Sequence, residues 1–179
     1  MMLRSTIFFI AFALCAPALH AQTYATGDYT IQTPVGQLRI NSGFVAHQNA
    51  HSFHVYTFLF RPDDTETWHQ VPVIREVDSP TMEFTVTRTA TADFTTRDAV
   101  VVPHDRGLML TIATLDYAST PYDAHAVVRT ERFRLEQLEE EGRWIFLLDS
   151  NDVAPKGHSI EDVIRKAGGV PGGEEKGAL

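Results

Sequence analysis

The sequence predicts an all-β protein, an antiparallel β-sandwich or partly closed barrel carrying one C-terminal helix. Three observations lead there. Short runs of β-branched and aromatic residues recur through the middle of the chain, separated by turn residues. Several of these runs alternate polar and apolar side chains with the period of a strand. Helical signals, in contrast, gather in one place, between Ser159 and Gly168. Roughly eight or nine short strands are expected on this basis.

In chain order, residues 29–33 (YTIQT) form a strand stopped by Pro34-Val35-Gly36, and residues 37–40 alternate beyond that turn. Residues 51–60, HSFHVYTFLF, are the densest aromatic and β-branched run of the chain. Strand geometry sends Phe53, Val55 and Leu59 to one face and Tyr56, Phe58 and Phe60 to the other. Both sets are apolar, so a central strand covered on each side is expected. Arg61-Pro62-Asp63-Asp64 ends it with turn chemistry. The strand pattern resumes over residues 68–77, where Pro72 calls for an edge or a bulge. Residues 82–89 alternate again. Residues 98–102 and 108–117 then make a hairpin around Asp105-Arg106-Gly107.

Residues 124–138 mix signals, since RLEQLEEE favours a helix while the preceding half alternates. The alternation of Val127, Arg129, Glu131 and Phe133 assigns a strand. It turns through the solvated tip Glu139-Glu140-Glu141-Gly142 and returns as residues 143–148. Ser159 caps the helix, with Asp162 completing a capping box. Glu161 and Asp162 stand in its first turn, Arg165 and Lys166 in its last, and Gly168 stops it.

Residues 1–21 read as a secretory signal peptide, with Arg4 in front of a short apolar core and Ala21 at the exit. Cleavage after Ala21 is preferred, and Ala18 is the alternative. The stretch is too short for a stable membrane span, so the expected location is the periplasm. Residues 22–170 are then a single domain, and residues 171–179, with little to bury, a disordered tail. Cys15 is the one cysteine, and it would leave with the signal, so no disulfide or thiolate site is expected. The bulky Leu14 before it argues against a lipidation site. The chain carries a formal charge of -8, which disfavours nucleic acid as a partner.

Chemistry-bearing residues are few. His47, His51 and His54 crowd together, with Asn49 among them and His69 on a nearby strand. His47, His51 and His69 are the candidate metal ligands, because imidazole suits zinc and copper. Along one strand, however, His51 and His54 point to opposite faces. No Gly-x-Ser-x-Gly elbow is present, and Ser52 beside His51 is adjacency in sequence alone. The acidic stretch Asp149-Ser150-Asn151-Asp152 lacks the pattern of a calcium loop and reads as a solvated turn at a strand end. The aromatic residues read as core, Trp68 being the candidate exception because it follows a polar loop.

The segment NAHSFHVYTFLF, residues 49–60, followed by Trp68-His69-Gln70-Val71-Pro72, resembles the CarG-type carbapenem self-resistance proteins. The later order, Asp98-Ala99-Val100-Val101-Val102, a hairpin and then Tyr122-Asp123, is also similar. The resemblance spans about the middle two-thirds of the chain, and its first block, with Asn49, His51, Ser52 and Phe53, is the specific one. It departs from the family pattern at residues 33–38, which have no acidic DLNGDG-like cluster, and in lacking a C-terminal cysteine motif. The resemblance implies an all-β periplasmic protein that protects against a β-lactam without an established hydrolytic step. On the residues themselves, Asn49 suits a turn and Phe53 a core anchor.

The expectation is therefore a periplasmic, non-catalytic binding protein with no cofactor. Its candidate ligand-binding residues are Asn49, His51, Ser52 and Trp68. Its partner would be a small molecule or an envelope protein, with a homodimer left open. Two alternatives stand beside it: an immunity-type protein that sequesters a periplasmic toxin, and a metal-dependent hydrolase built on the clustered histidines.

Overall fold

The computed structural model describes residues 23–47, 52–105, 107–138 and 141–168. The segment expected as a signal peptide, the expected tail, Asn49 and His51 lie outside them. Ten strands form one mostly antiparallel sheet: β1 (Gly27–Thr33), β2 (Gly36–Val45), β3 (Phe53–Pro62), β4 (His69–Gln70), β5 (Val73–Ile74), β6 (Val86–Ala90), β7 (Thr95–His104), β8 (Gly107–Asp116), β9 (Val127–Leu138) and β10 (Arg143–Val153). Helix α1 (Ile160–Lys166) follows them. The strand order is β1-β2-β3-β6-β7-β8-β9-β10-β5, and β4 pairs separately with β3. The sheet is folded over so that β2 and β3 share one core with β8, β9 and β10, where Phe58 meets Phe146 edge-on at 5.3 Å. It does not close into a barrel. The all-β class with one C-terminal helix is as the sequence predicts.

Pro72 explains how the two halves are joined. The run over residues 68–77 does not make one strand; it makes two short ones. β4 pairs antiparallel with β3, whereas β5 pairs parallel with β10. Between them Pro72, which has no N–H to give a ladder, offers only its carbonyl, taken by the Phe146 amide at 2.8 Å. The strand thus changes partner at the residue that cannot serve both.

Cover is distributed differently from the expectation for residues 51–60. In β3 the even positions His54, Tyr56, Phe58 and Phe60 are buried, while Phe53, Val55 and Leu59 are only half-buried. Phe53 is therefore not a core anchor; its ring stacks on His47 at 5.4 Å. The strand covered on both faces is β8, buried continuously from Leu108 to Ala113, with α1 packed on β7 and β8. The helix is capped as predicted, the Ser159 hydroxyl accepting from the Asp162 amide and the Asp162 carboxylate from Ser159. Gly168 ends the last turn at φ +96°, against Val102. Residues 149–152 are not a loop. β10 continues through them past a bulge after Leu148, and Asp149 and Asp152 pair with Arg134 and Arg132 of β9.

One buried carboxylate ties the N-terminal segment to three strands. Asp98, 4% exposed, accepts from the Thr23 hydroxyl at 2.7 Å, the Tyr56 hydroxyl at 3.0 Å and its own neighbour's amide, Ala99, at 2.7 Å. The Arg88 guanidinium of β6 lies 3.4 Å away and is itself nearly buried. Beside it the Tyr24 hydroxyl accepts from the Val101 amide at 2.9 Å, and the Tyr24 ring meets Tyr56 edge-on at 5.3 Å. Burial pushes the Asp98 carboxyl up, against the opposing pull of Thr23, Ala99, Arg88 and Tyr56. Burial also raises both phenols, so Tyr24 and Tyr56 stay protonated donors.

Replacing Asp98 by Asn keeps the shape but leaves Arg88 as a buried charge without a counter-ion. The variant should lose about 3–5 kcal/mol in urea denaturation at neutral pH. A loss under about 1 kcal/mol would mean that Arg88 reaches solvent without this carboxylate.

Candidate functional site

A cleft of about 590 Å³ lies where β6 and β7 meet the loop after β8. Hydroxyls line it: Ser52, Thr89, Thr91 and Thr96, with the phenols of Tyr117 and Tyr122. Each is held by local chemistry. Thr91 closes the turn between β6 and β7, its amide donating to the Phe94 carbonyl at 2.8 Å and its hydroxyl accepting from Asp93 and Phe94 amides at 3.2 Å. Thr89 and Thr96 share a hydroxyl hydrogen bond of 2.8 Å across the two strands.

Tyr122 comes from the loop after β8. Its amide donates to Thr120, its ring meets Phe94 edge-on at 5.3 Å, and its hydroxyl donates to Asp93 at 2.8 Å. Tyr122 is nevertheless 62% exposed and Tyr117 42%, so both phenol rings are open to a ligand. The described lining holds no carboxylate, imidazole, thiol or amine. Such a surface hydrogen-bonds carbonyls and anionic oxygens and stacks on ring faces.

Among the predicted ligand residues, Ser52 lines this cleft, and its hydroxyl accepts from the His47 amide at 3.2 Å. Trp68 does not. It lies at the other end of β3, under the guanidinium groups of Arg39 and Arg61, 4.3 and 5.4 Å from its ring centre. With His69 paired to Phe60 and Ser52 preceding Phe53, the two sites are roughly 25 Å apart along the strand. Trp68 is thus covered by two cations on the outer face of β2 and β3, and the expected four-residue site is not assembled. Asn49 and His51 fall outside the described residues.

The candidate metal set is separated in the same way. His47 sits beside Phe53, His69 opposite Phe60, so one ion cannot take both. Among the described residues no three His, Cys, Asp or Glu side chains converge as a ligand set. Sequence reasoning missed Thr89, Thr91, Thr96, Tyr117 and Tyr122. Threonines on alternating strands look like an ordinary solvent face, and only the fold brings the two tyrosines over them.

His54 has a different role. It is 6% exposed, pairs across strands with Arg88, and tilts against Phe44 at 5.1 Å. Its Nδ1 is buried without a hydrogen-bond partner among the described residues. Burial, helped by the Arg88 charge, holds its pKa below the ordinary imidazole value and keeps the ring neutral.

The fold is an open, folded-over β-sheet of sandwich type with a hydroxyl-lined cleft at one end. Among solved structures it is similar to that of CarG, with a TM-score of 0.58 and 16% sequence identity. The match covers 85% of this chain and 96% of that one. At this identity the likeness shows the fold. No protein-family model matches the chain, and no curated protein matches it significantly by sequence.

The neutral His54 has a consequence for stability. Above about pH 6.5 it is uncharged both folded and unfolded. As pH falls through that value, the unfolded chain takes up a proton that the fold disfavours, so stability is lost. The raised Asp98 carboxyl acts in the opposite sense nearer the carboxylate range, and a comparison with His54→Phe cancels it. Urea melts at pH 7.5 and about pH 5.5 should therefore show a larger acid loss for the wild type than for His54→Phe. Parallel losses would mean that His54 titrates normally.

Proposed function

We propose that this chain is an exported, non-catalytic binding protein of the periplasm that holds a β-lactam of the carbapenem class in the hydroxyl-lined cleft. The observation that carries the reading is the CarG-like fold over 85% of the chain. It joins the resemblance in the segment of residues 49–60, within which Ser52 lines the cleft. The cleft volume is within the range of small-molecule sites, about 300–1,000 Å³. The Thr89–Thr96 hydroxyl pair keeps one proton free to donate to a lactam carbonyl or carboxylate, and the exposed phenol rings can cover the bicyclic body.

Ring opening would need a base to activate water or a nucleophile. The described lining offers hydroxyls and phenols alone. Sequestration or shielding is the chemistry that supports. A formal charge of -8 disfavours phosphate backbones as partners, and no described helix is long and apolar enough to cross a membrane.

The test is expression, with its own leader, in a carbapenem-sensitive bacterium, with the protein's presence in the periplasm checked directly. Tolerance should rise while the drug stays chemically intact, and Tyr117→Ala with Tyr122→Ala should abolish the gain. Unchanged tolerance with protein in the periplasm would overturn the reading. Protection with ring-opened drug would replace binding by hydrolysis.

A further inference from the structure

The free edges of this sheet are not alike. β4 and β5 are blunted by their length, two residues each. β10 bends at the bulge after Leu148 and carries Asp149 and Asp152 beyond it. β1 ends the strand order on the other side and is paired with β2 alone among the described residues. Its seven residues, Gly27–Thr33, run against β2 without a bulge and include no proline, lysine or arginine. The amides and carbonyls along its outer side are a ready template for another strand.

The sequence of β1 decides which strand fits. Tyr29 and Ile31 are half-buried and pack on the core, while Asp28, Thr30 and Gln32 are exposed. A partner must keep that alternation, because a slip of one residue turns its apolar side chains to solvent. A second β1, laid antiparallel, keeps it. With Thr30 on a two-fold axis, Tyr29 stands opposite Ile31 of the second copy, Asp28 opposite Gln32 and Gly27 opposite Thr33. The whole strand is then paired, and a shift of two residues either way leaves part of it unpaired. No like charges meet: Asp28, the one charged residue of β1, faces an amide side chain, and Thr30 faces Thr30, a pair that strands favour.

We propose that two copies of this chain associate edge to edge through β1, joining their sheets across a two-fold axis at Thr30. The formal charge of -8 on each copy opposes association in general. The β1 register keeps its acids apart, and main-chain hydrogen bonds carry the contact. Tyr29 and Ile31 of the two copies, brought side by side, extend the apolar face of each sheet into the other. The inference does not rest on the proposed carbapenem function, because it uses neither the cleft nor any of its residues.

Light scattering across a wide concentration series, with hydrogen exchange of the β1 amides measured alongside, tests it. The mass should rise toward twice that of the chain, and β1 should gain protection as it does. Thr30→Lys, at an exposed position, sets like charges on the axis and should weaken the dimer about threefold or more. Gln32→Lys sets a cation opposite Asp28 on both sides of the axis and should tighten it by about the same factor. A single-chain mass at every concentration would overturn the proposal. A dimer indifferent to both changes would do so as well, because it would use another surface. So would full protection of the β1 edge in the monomer, since the chain's own residues would then cover that edge.

Discussion

The fold depends on one buried carboxylate, Asp98, and the groups gathered on it. Asp98 collects a hydroxyl from the N-terminal segment, a phenol from β3, an amide of β7 and the guanidinium of β6. Each partner alone would be a costly buried polar group. Asp98 draws hydrogen bonds from three of them and the charge of Arg88 from the fourth, which requires all four pieces of chain to be in register. The same arrangement fixes the place of the cleft. Arg88 faces Asp98 and also donates to Thr95 at 3.3 Å, while the next residues of the same strands, Thr89 and Thr96, join hydroxyls in the cleft lining. The cleft is thus built on a pair of strands already anchored from behind.

Where the sequence was legible, local physics decided the outcome. The capping box of Ser159 and Asp162, the hairpin on Asp105 with φ 50°, and the alternation that made residues 127–138 a strand all act over a few residues. Residues 68–77 were harder, because a strand pattern does not say with which neighbour each half pairs. Pro72 marked the break, and only the folded-over sheet gave the halves different partners. Phe53 looked like a core residue, but β3 is covered on one face, so half of its apolar positions meet solvent-side neighbours. The extension of β10 over Asp149 and Asp152 was hidden for a related reason: the cross-strand arginines that make acids welcome in a strand come from β9.

The site was less legible than the fold. Ser52 could be singled out by its place in a patterned segment, yet its companions in the cleft come from three later parts of the chain. Asp98 looked like the first residue of a strand, and nothing near it in sequence announces that Thr23 and Tyr56 will converge on it. Trp68 drew notice as an aromatic after a polar loop, while its partners, Arg39 and Arg61, are set beside it by the β2–β3 register. The cleft that results offers neutral hydroxyls and phenol faces.

The most direct test of the anchoring network is native-state hydrogen exchange at two amides, Ala99, which donates to Asp98, and Val101, which donates to the Tyr24 hydroxyl. If the network is the interaction on which the fold rests, both amides exchange only through global unfolding. Their opening free energies should then equal the stability measured by denaturant. Exchange through a much cheaper local opening, with the rest of the sheet still protected, would contradict the account.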